Sequence, residues 1–493
     1  MGQVLFLLFA GAAASLPPFP VTPVGVVRPL PLAGFGGEYV FQTLGDSYLT
    51  AAILAASSRA TRFPGGTPAD YFNFSVGWLN TPTGSGCGGC DALPPRPAPP
   101  AALAAHLAAT HEAPVLVLNT LHASLDAELS GLAALSDAGV PIDHLELSNE
   151  MYDASRADVV RRFPDGSSYG QTAANWTAAL RASYPGARVS WVATSGTWDT
   201  RTASWNAQVF DPALQPRPDA ASLHLYPGLP TLNLSAPDNF PKLLANLFSH
   251  LKDFRSYTES TLPPALPFWV TEWGTWGCSS VEGTWLQGLW HAAFTLLLPT
   301  ALPRVEVVLP YCSVCGDPVM PSFTTAQWGP VVPPNATTAP GSWLRTPSGQ
   351  ALALVFFAWA SAAAGGGEAP SLVAVDFGAS NPKLDPAVPS SVALVGTLAM
   401  GAPGRPSALI AANLGAEVAP LDVRDLPSFG CAPAGVLCAV SYSAPAGDVA
   451  RQGLLVEDLL RTAAPVGAGS AQLPPFSLGV MYCSPSPGCF GYP

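Results

Sequence analysis

The sequence predicts an α/β fold in which a (β/α)8 TIM barrel is followed by a C-terminal β-sandwich domain. Three observations support this prediction. The 493 residues exceed what one hydrophobic core usually holds, so the chain needs a large domain and a smaller one. From residue 35 to about residue 312, short β-branched or aromatic runs alternate with Ala- and Leu-rich stretches, and a last helix ends the predicted barrel domain, residues 35–364. From residue 365 to residue 493, the runs are β-rich and are separated by Pro and Gly turns.

The alternating region contains eight predicted strands, which is the number that closes a (β/α)8 barrel. These strands cover residues 38–42, 60–63, 114–119, 144–148, 188–193, 221–226, 268–271 and 305–311. The predicted helices cover residues 48–57, 101–109, 125–138, 173–183, 240–257, 285–298 and 350–364. A Gly run then leads into the β-sandwich, whose predicted strands cover residues 371–377, 392–400, 408–413, 436–443 and 476–483.

Composition and charge limit the classes of protein and partner. Hydrophobic residues make up 48% of the chain and charged residues only 11%, which excludes a disordered chain. The formal net charge is -12, and the sequence contains no basic run. Nucleic acid and anionic lipid are therefore poor candidate partners, because both are bound through clustered Lys and Arg.

The N-terminus has the features of a secretory leader. Residues 4–14 are apolar and end in three alanines, and this stretch is about half the length of a membrane span. We therefore predict a signal peptide over residues 1–14, followed by a Pro-rich N-terminal segment over residues 15–34. No later segment is predicted to span a membrane. Four N-glycosylation sequons start at Asn73, Asn175, Asn233 and Asn335. The expected location is extracellular or the lumen of the endomembrane system, such as a lysosome or vacuole.

Nine cysteines are consistent with an oxidising compartment and allow four disulfides at most. Cys278 follows the seventh predicted strand, and Cys312 and Cys315 follow the eighth. Because loops after adjacent strands lie side by side, we predict a bridge from Cys278 to Cys312 or Cys315 at the barrel rim. Two smaller loops are candidates for closure in the sandwich, by pairing of Cys431 with Cys438 and of Cys483 with Cys489.

Two glutamates close predicted strands on opposite sides of the barrel mouth. Glu150 ends the fourth strand and Glu272 ends the seventh. A (β/α)8 barrel gathers its reacting groups at these strand ends. Two carboxyl groups about 5 to 5.5 Å apart carry out retaining glycoside hydrolysis, with one protonated and the other ionised. Each Glu alone is more often a solvated residue or an ion-pair partner, but two in these positions favour a catalytic pair.

The neighbours of both glutamates are typical of a carbohydrate site. Asn149 precedes Glu150 and provides an amide for the 2-hydroxyl of a sugar. Trp269 and Trp273 flank Glu272, and aromatic rings of this kind pack on the apolar face of a sugar. We therefore predict a carbohydrate substrate, in the form of an oligosaccharide, polysaccharide or glycoconjugate. No metal and no organic cofactor is expected.

The residues also carry a family resemblance. Two motifs resemble the acid/base and nucleophile signatures of clan A glycoside hydrolases, namely Ser148-Asn149-Glu150 and Trp269-Val270-Thr271-Glu272. Within that clan, the runs at 36–39 and 61–70 resemble the start of glycoside hydrolase family 79, the heparanase and β-glucuronidase family. The run at 219–226 resembles the sixth-strand His-x-Tyr segment of that family. The sequence differs from the family pattern at Pro64, which stands before the Gly pair as in arabinofuranosidase-like members of the clan.

The resemblance implies roles for individual residues. Glu150 would be the acid/base and Glu272 the nucleophile, and a β-sandwich would follow the barrel. Tyr226 or Tyr311 would hold the nucleophile by a phenolic hydrogen bond, unless each is a half-buried core aromatic. For two further residues alternatives also stay open. Arg62 would pair with Glu272, bind a substrate carboxylate or serve only the barrel structure, and His224 would be a subsite residue or a core histidine.

The sequence therefore predicts a secreted retaining glycoside hydrolase of the β-glucuronidase or heparanase kind. Two alternatives remain. One is another clan A specificity, such as β-glucosidase, β-xylosidase or arabinofuranosidase. The other is a carbohydrate-binding barrel without turnover. Because no basic cleft is visible, we expect a terminal uronic acid or a neutral sugar as the substrate, and weak retention on heparin.

Overall fold

The structure, a computed structural model, describes the chain between residues 18 and 484 with gaps. The described ranges are 18–36, 46–80, 98–228, 239–275, 283–311, 323–325, 343–363, 370–377, 394–402, 405–414, 418–424, 436–445, 459–466 and 470–484, with Leu44 and Leu426. The predicted signal peptide, the predicted strand at 38–42 and all three cysteines of the predicted rim disulfide lie outside these ranges. Among the described helices, none combines the length and the apolar character needed to cross a bilayer.

The strands and helices of the described chain are numbered in chain order. The strands are β1 (Phe19–Pro20), β2 (Thr22–Pro29), β3 (Leu32–Ala33), β4 (Phe35–Gly36), β5 (Ala60–Phe63), β6 (Phe72–Asn73), β7 (Trp78–Leu79), β8 (Ala113–Leu118), β9 (His144–Leu147), β10 (Arg188–Val192), β11 (Ala220–Leu225), β12 (Phe268–Trp273), β13 (Val305–Val308), β14 (Phe323–Thr325), β15 (Trp343–Arg345), β16 (Ser371–Asp376), β17 (Leu394–Ala402), β18 (Arg405–Asn413), β19 (Ala419–Asp422), β20 (Val436–Ser443), β21 (Leu460–Pro465), β22 (Ser470–Leu473) and β23 (Ser477–Ser484). The helices are α1 (Ser47–Ala55), α2 (Pro100–Thr110), α3 (Leu125–Asp137), α4 (Ala157–Arg162), α5 (Gly166–Ser183), α6 (Thr200–Val209), α7 (Asn239–Thr261), α8 (Trp285–Ala301) and α9 (Pro347–Ala363), with a 3-10 turn at Thr67–Tyr71.

A parallel barrel forms the larger domain and confirms the predicted fold. Its strand order is β3-β13-β12-β11-β10-β9-β8-β5-β4, and every neighbouring pair is parallel. Strands β5 and β8 to β13 overlap the predicted second to eighth strands. They are buried on nearly every residue, as expected of strands with helices on one face and a filled barrel interior on the other.

The first barrel strand is split into two short pieces. β3 pairs with β13, and β4 pairs with β5 on the other side, with only Gly34 between the two pieces. Gly36 also bridges to Tyr311 beyond the end of β13. Together the pieces occupy one barrel position and close the barrel. This position is filled by residues 32–36, just before the stretch at 38–42 that the sequence predicted.

Gly34 leaves no room for a side chain at this closure point. A Cβ atom built there would overlap the carbonyl oxygen of Ala60, which belongs to the neighbouring β5 backbone. We expect Gly34→Ala to lower the free energy of unfolding by about 1 to 3 kcal/mol, because the clash is with rigid backbone. Urea unfolding would measure this loss. Gly186→Ala is the matched control, since a Cβ there meets nothing within 4 Å, and a similar loss in both variants would contradict the argument.

The second domain is built from antiparallel sheets, as the β-sandwich prediction requires. A seven-stranded sheet has the order β2-β16-β17-β18-β23-β20-β21, and a three-stranded sheet has the order β1-β19-β22. The N-terminal strands take part in both, because β2 pairs with β16 and β1 pairs with β19. Cys438 and Cys483 of this domain each take part in a disulfide bond. Cys431 and Cys489, their predicted partners, lie outside the described residues.

Helices α8 and α9 connect the two domains. The indole nitrogen of Trp285 donates to the carbonyl oxygen of Phe476 at 2.7 Å. Phe357 makes an edge contact with Tyr482, with ring centroids 5.1 Å apart. Both helices are buried on almost every face, which explains their nearly continuous apolar sequence. In the described chain, the sandwich thus packs against the barrel through these two helices.

Candidate active site

A β-bulge in β12 determines which side chains of this strand enter the barrel. Leu223 of β11 is level with Val270, whereas the next residue, His224, is level with Glu272. Thr271 is therefore an extra residue, and the two-residue alternation of the strand shifts by one position. As a result, both Thr271 and Glu272 contact groups inside the barrel.

The same shift turns Trp273 away from the mouth. Trp273 is completely buried and packs on His291 and Phe294 of α8, with ring centroids 5.2 and 4.9 Å away. The prediction that Trp273 binds substrate is therefore wrong. Trp269 is also completely buried and lies among apolar side chains such as Val115 inside the barrel, so it is no sugar platform either.

The turn after β9 presents Asn149 and Glu150 to the mouth through an unusual backbone. Ser148 and Glu150 have φ angles of 71° and 52°, a left-handed conformation that non-glycine residues seldom adopt. The Ser148 hydroxyl accepts from the backbone N–H of Thr120 at 2.8 Å. The backbone N–H of Asn149 donates to Asp70 Oδ1 at 2.9 Å. These neighbouring contacts hold the strained turn in place.

Asp70 belongs to an ion pair behind this turn. Its other oxygen, Oδ2, accepts from Nη1 of Arg156 at 2.7 Å. Burial raises the pKa of Asp70 to about 6 even though Arg156 lowers it. Tyr71 joins the same cluster through a short hydrogen bond to Asp158. The cluster lies beneath the turn and outside the cavity, so it supports the position of Asn149.

Glu272 is held by one donor on each carboxylate oxygen. Oε1 accepts a short hydrogen bond from Nη1 of Arg62. Oε2 accepts from the Tyr226 hydroxyl at 2.6 Å. Burial first, and the charge of Glu272 second, raise the pKa of Tyr226 well above its ordinary value, so this hydroxyl stays protonated and donates. Of the two predicted tyrosines, Tyr226 contacts Glu272, while the Tyr311 ring lies in edge contact with Tyr226 at 6.3 Å.

Arg62 is buried and donates hydrogen bonds to three side chains of the site, and it does not face the cavity. Besides Glu272, it donates from Nε to Glu146 at 2.7 Å and from Nη2 to the Asn149 side chain at 3.0 Å. Its side chain is 1% exposed, and it does not line the cavity. Of the three predicted roles, the structure supports the pairing with Glu272, and the assignment of Arg62 to substrate binding is corrected.

His224 lies between the two predicted catalytic carboxylates. Its Nδ1 is 2.9 Å from Glu150 Oε1 and 3.4 Å from Glu272 Oε2. Burial lowers the pKa of His224, but the carboxylates of Glu272, Glu146 and Glu150 outweigh burial and raise it to about 10. For Glu150, the effect of His224 on the pKa is larger than the effect of burial. Burial raises its pKa, whereas the hydrogen bond and charge of His224 lower it to below the ordinary value.

Glu150 and Glu272 face each other at the spacing of a retaining glycosidase. One carboxylate oxygen of each lies within 4.8 Å of the other, whereas inverting enzymes need about 6.5 to 9.5 Å between their carboxyl groups. Both open into a cavity of about 900 Å³ at the barrel mouth. The cavity is lined by Gly66, Thr67, Asn149, Glu150, Tyr152, Asp153, Ser195, Gly196, Trp198, His224, Tyr226, His250, Phe254, Glu272 and Tyr311.

The structure thus brings together seven of the eight predicted site residues and adds others. Glu146, Asp70, Arg156, Tyr152 and Trp198 were not predicted. Glu146 could have been predicted as a site residue, because a glutamate inside the buried run of β9 needs a cationic partner. The other four lie in loops or turns, where neither hydrophobic periodicity nor strand position indicates what a side chain contacts.

Comparison with known proteins establishes the fold. No family model matches the sequence, and a search of curated proteins finds no match. Among solved structures, a family 51 α-L-arabinofuranosidase from Bifidobacterium longum has a TM-score of 0.64 at 14% identity, covering 94% of this chain and 98% of its own.

Two further structures are similar over comparable lengths. A family 51 arabinofuranosidase from Xanthomonas axonopodis pv. citri has a TM-score of 0.62 at 13% identity, with 95% of this chain and 99% of its own covered. A 4-O-α-L-rhamnosyl-β-D-glucuronidase from Fusarium oxysporum has a TM-score of 0.58 at 13% identity, with 94% and 99% covered. The chain therefore has the barrel-and-sandwich fold of these glycoside hydrolases.

Proposed function

We propose that this protein is a retaining glycoside hydrolase with Glu272 as nucleophile and Glu150 as acid/base. The observation that carries the proposal is the pair of carboxylates within 4.8 Å of each other, facing one cavity at the C-terminal ends of the barrel strands. The fold shared with arabinofuranosidases and a glucuronidase supports the same class of reaction.

The reaction proceeds in two steps. In the first, an ionised Glu272 oxygen attacks the anomeric carbon while Glu150 delivers a proton to the leaving oxygen, so the glycosidic bond breaks and a glycosyl ester forms. In the second, Glu150 takes a proton from water, and the water oxygen displaces Glu272 from the sugar. Arg62 and Tyr226 hold Glu272 in a fixed orientation and favour its ionised form.

The charge of the cavity favours a neutral sugar. Among the described lining residues there is no Lys or Arg, while Glu150, Asp153 and Glu272 are acidic. Arg62 and Arg156, close to the mouth, are already bound by carboxylates. The cationic ring of His224, which lines the cavity, is already paired with Glu150. A uronic acid would therefore bring a carboxylate to a site without an available partner. We propose a neutral glycoside such as an α-L-arabinofuranoside as substrate, and keep a β-glucuronide, which the family 79 resemblance favours, as the second candidate.

A panel of nitrophenyl glycosides tests the proposal. It contains the α-L-arabinofuranoside, β-D-xyloside, β-D-glucoside and β-D-glucuronide, and proton NMR follows the anomer that is released first. We expect turnover of a neutral member with retention of configuration. Fastest turnover of the glucuronide would overturn the neutral-sugar assignment. Release of the inverted anomer would overturn the retaining mechanism. Sugar binding without turnover of any member would overturn hydrolysis itself and favour the binding barrel.

Trp198 provides a platform for the leaving group. Its side chain is 56% exposed at the cavity rim, and its ring is in edge contact with Tyr152 at 5.5 Å. Tyr152 donates to Glu150 at 3.1 Å, so Trp198 lies on the side where the leaving oxygen is protonated. We expect Trp198→Ala to raise KM for an oligosaccharide about 3- to 10-fold, because stacking on an aromatic ring contributes about 1 kcal/mol.

The matched substrate for this prediction is a glycosyl fluoride of the same sugar. Fluoride has no ring to stack, so its kcat/KM should stay near the value of the unchanged protein in Trp198→Ala. Trp198→Phe should recover most of the oligosaccharide affinity. An equal loss on both substrates would contradict the assignment to the leaving-group side.

We also propose that the protein is secreted and glycosylated. Asn175 is exposed on α5, where an oligosaccharide has room. Expression in a eukaryotic secretory host should yield a mature chain that begins at residue 15 and shifts in mass on enzymatic deglycosylation. A chain that stays in the cytosol with its leader intact would contradict the proposal.

A further inference from the structure

A third carboxylate lies in the centre of the site without a role in the reaction described above. Glu146, on β9, is fully buried. It accepts from Nε of Arg62 at 2.7 Å and from the Thr271 hydroxyl at 2.9 Å. Its Oε1 lies 3.7 Å from Nε2 of His224. Glu146 thus binds the group that holds Glu272 and lies against the group that holds Glu150.

These contacts create a buried cluster of five ionisable side chains with an excess of negative charge. Arg62 and His224 are the cations, and Glu146, Glu150 and Glu272 are the anions. With all five charged, the cluster carries one net negative charge. A buried negative charge of this kind raises the affinity of its surroundings for a proton. Without Glu146 the cations and anions would balance, and this added affinity would be lost.

We propose that Glu146 is a positioning residue that retains on the His224–Glu150 pair the proton delivered to the leaving oxygen. The inference rests on the proposed function, since it concerns the proton used in that reaction. It adds a specific task for a residue that touches neither sugar nor cavity.

The proton balance of the pair follows from its geometry. At rest the proton is on the imidazole, because the carboxylates outweigh burial and raise the pKa of His224 to about 10. In the first step the proton passes from Nδ1 of His224 to Glu150 across the 2.9 Å contact and from Glu150 to the leaving oxygen, which leaves His224 neutral and Glu150 ionised. In the second step Glu150 takes a proton from water and returns it to His224. The pair therefore titrates as a unit, with apparent pKa values that belong to both groups.

The other ionisable groups around the pair do not gain or lose a proton in the pH range in which the pair titrates. The hydroxyls of Tyr152 and Tyr226 face it from the β9 and β11 ends, and burial raises the pKa of both well above the ordinary value. Tyr169 of α5 lies near Glu146 and is likewise kept neutral by burial. Burial raises the pKa of Glu146, but Arg62 and His224 lower it to about 2, so Glu146 is ionised wherever the enzyme works.

The pH dependence of kcat/KM tests the proposal. Its alkaline limb reports loss of the proton from the pair in the free enzyme. In Glu146→Gln we expect this limb to move to lower pH by about one unit or more, because a buried charge a few ångströms away is removed. Glu146→Asp keeps the charge and should keep the limb near its original position, even where kcat falls. A purely structural role would lower activity at every pH alike.

Two controls separate the possible outcomes. Glu128→Gln is the matched variant, because Glu128 is a buried glutamate of α3 that accepts from the backbone N–H of Asn119 and forms none of the ion pairs of the cluster. It should leave the limb unchanged. An alkaline limb that stays in place in a folded Glu146→Gln would overturn the inference while leaving the proposed reaction intact. Absence of turnover in the unchanged protein would overturn the proposed function instead.

A measurement on the unchanged protein covers the case in which Glu146→Gln does not fold. Nitrogen-15 NMR of ring-labelled histidines, with His224→Gln to assign the signal, reports the protonation of His224 directly. We expect an imidazolium that persists above pH 8, since the resting proton is on this ring. A neutral ring at pH 7 would overturn the inference.

Discussion

The Glu272→Ala variant should lose hydrolysis of aryl glycosides by roughly 10⁴- to 10⁶-fold, a loss typical of removing the nucleophile from a coupled catalytic unit. The physical reason is that, among the residues of β12, Glu272 alone lines the cavity. Thr271 is bound to Glu146, and Trp273 is buried behind the strand. The fold should survive, because Arg62 retains Glu146 and Asn149 as acceptors. Stopped assays over hours with the best substrate of the panel would measure the loss.

Added azide distinguishes a missing nucleophile from a damaged site. In Glu272→Ala the space vacated by the carboxylate admits a small anion, so azide should restore turnover of an activated aryl glycoside and yield the glycosyl azide of inverted configuration. In Glu150→Ala the same anion attacks the glycosyl ester, and the azide should have retained configuration. Glu272→Gln is the matched control, since its side chain fills the same volume and should prevent rescue. Activity within tenfold of the unchanged protein in Glu272→Ala would exclude this residue as the nucleophile.

The sequence predicted the two carboxylates because both positions follow from short-range patterns. An apolar run that ends in Glu marks the end of a barrel strand, and barrel strand ends converge at one mouth. Glu150 and Glu272 therefore needed no knowledge of side-chain contacts. His224 and Tyr226, at the end of β11, were predicted instead from the resemblance of the run at 219–226 to a His-x-Tyr segment of a known family.

The error at Trp273 has a different origin. Trp273 was predicted because it is next to Glu272, but successive side chains of a strand point to opposite faces, so Trp273 points away from the mouth when Glu272 points into it. The insertion at Thr271 is visible only in the pairing of β12 with β11. A bulge leaves no mark in composition or periodicity, so the sequence could not indicate that Thr271 and Glu272 both face the barrel interior.

Strand pairing between residues far apart in sequence also limited what could be predicted about the fold. The first barrel position is filled by two short pieces around Gly34, neither of which has the length that a pattern search requires. β2 joins the sandwich by pairing with β16, although nearly the whole barrel separates them in sequence. Contacts of this kind depend on the final packing, and the entropy cost of closing such a loop rises only slowly with its length.

Arg62 is expected to be the most sensitive structural residue of the site. One planar guanidinium donates to Glu146, Glu272 and Asn149 from three different nitrogens, a geometry that neither Lys nor an apolar residue reproduces. Arg62→Met should lower the free energy of unfolding by about 3 to 5 kcal/mol, because it leaves a buried Glu146 without its cation. It should also lower kcat/KM by roughly 10²- to 10³-fold, since one fixed donor to the reacting carboxylate is lost.

The pH dependence of this stability loss has a defined sign. Arg62 and His224 lower the pKa of Glu146 to about 2, against burial, so Glu146 contributes stability above its ordinary pKa near 4.5 and loses it as pH falls towards 2. The difference in unfolding free energy between Arg62→Met and the unchanged protein should therefore be full at pH 7 and narrow below about pH 4.5. Arg188→Met is the matched control, because Arg188 pairs with Glu306 on a strand of the same barrel, with both side chains more than one third exposed. Its loss should stay below about 1 kcal/mol, and equal losses in the two variants would show that burial of the Arg62 cluster is not what stabilises the barrel mouth.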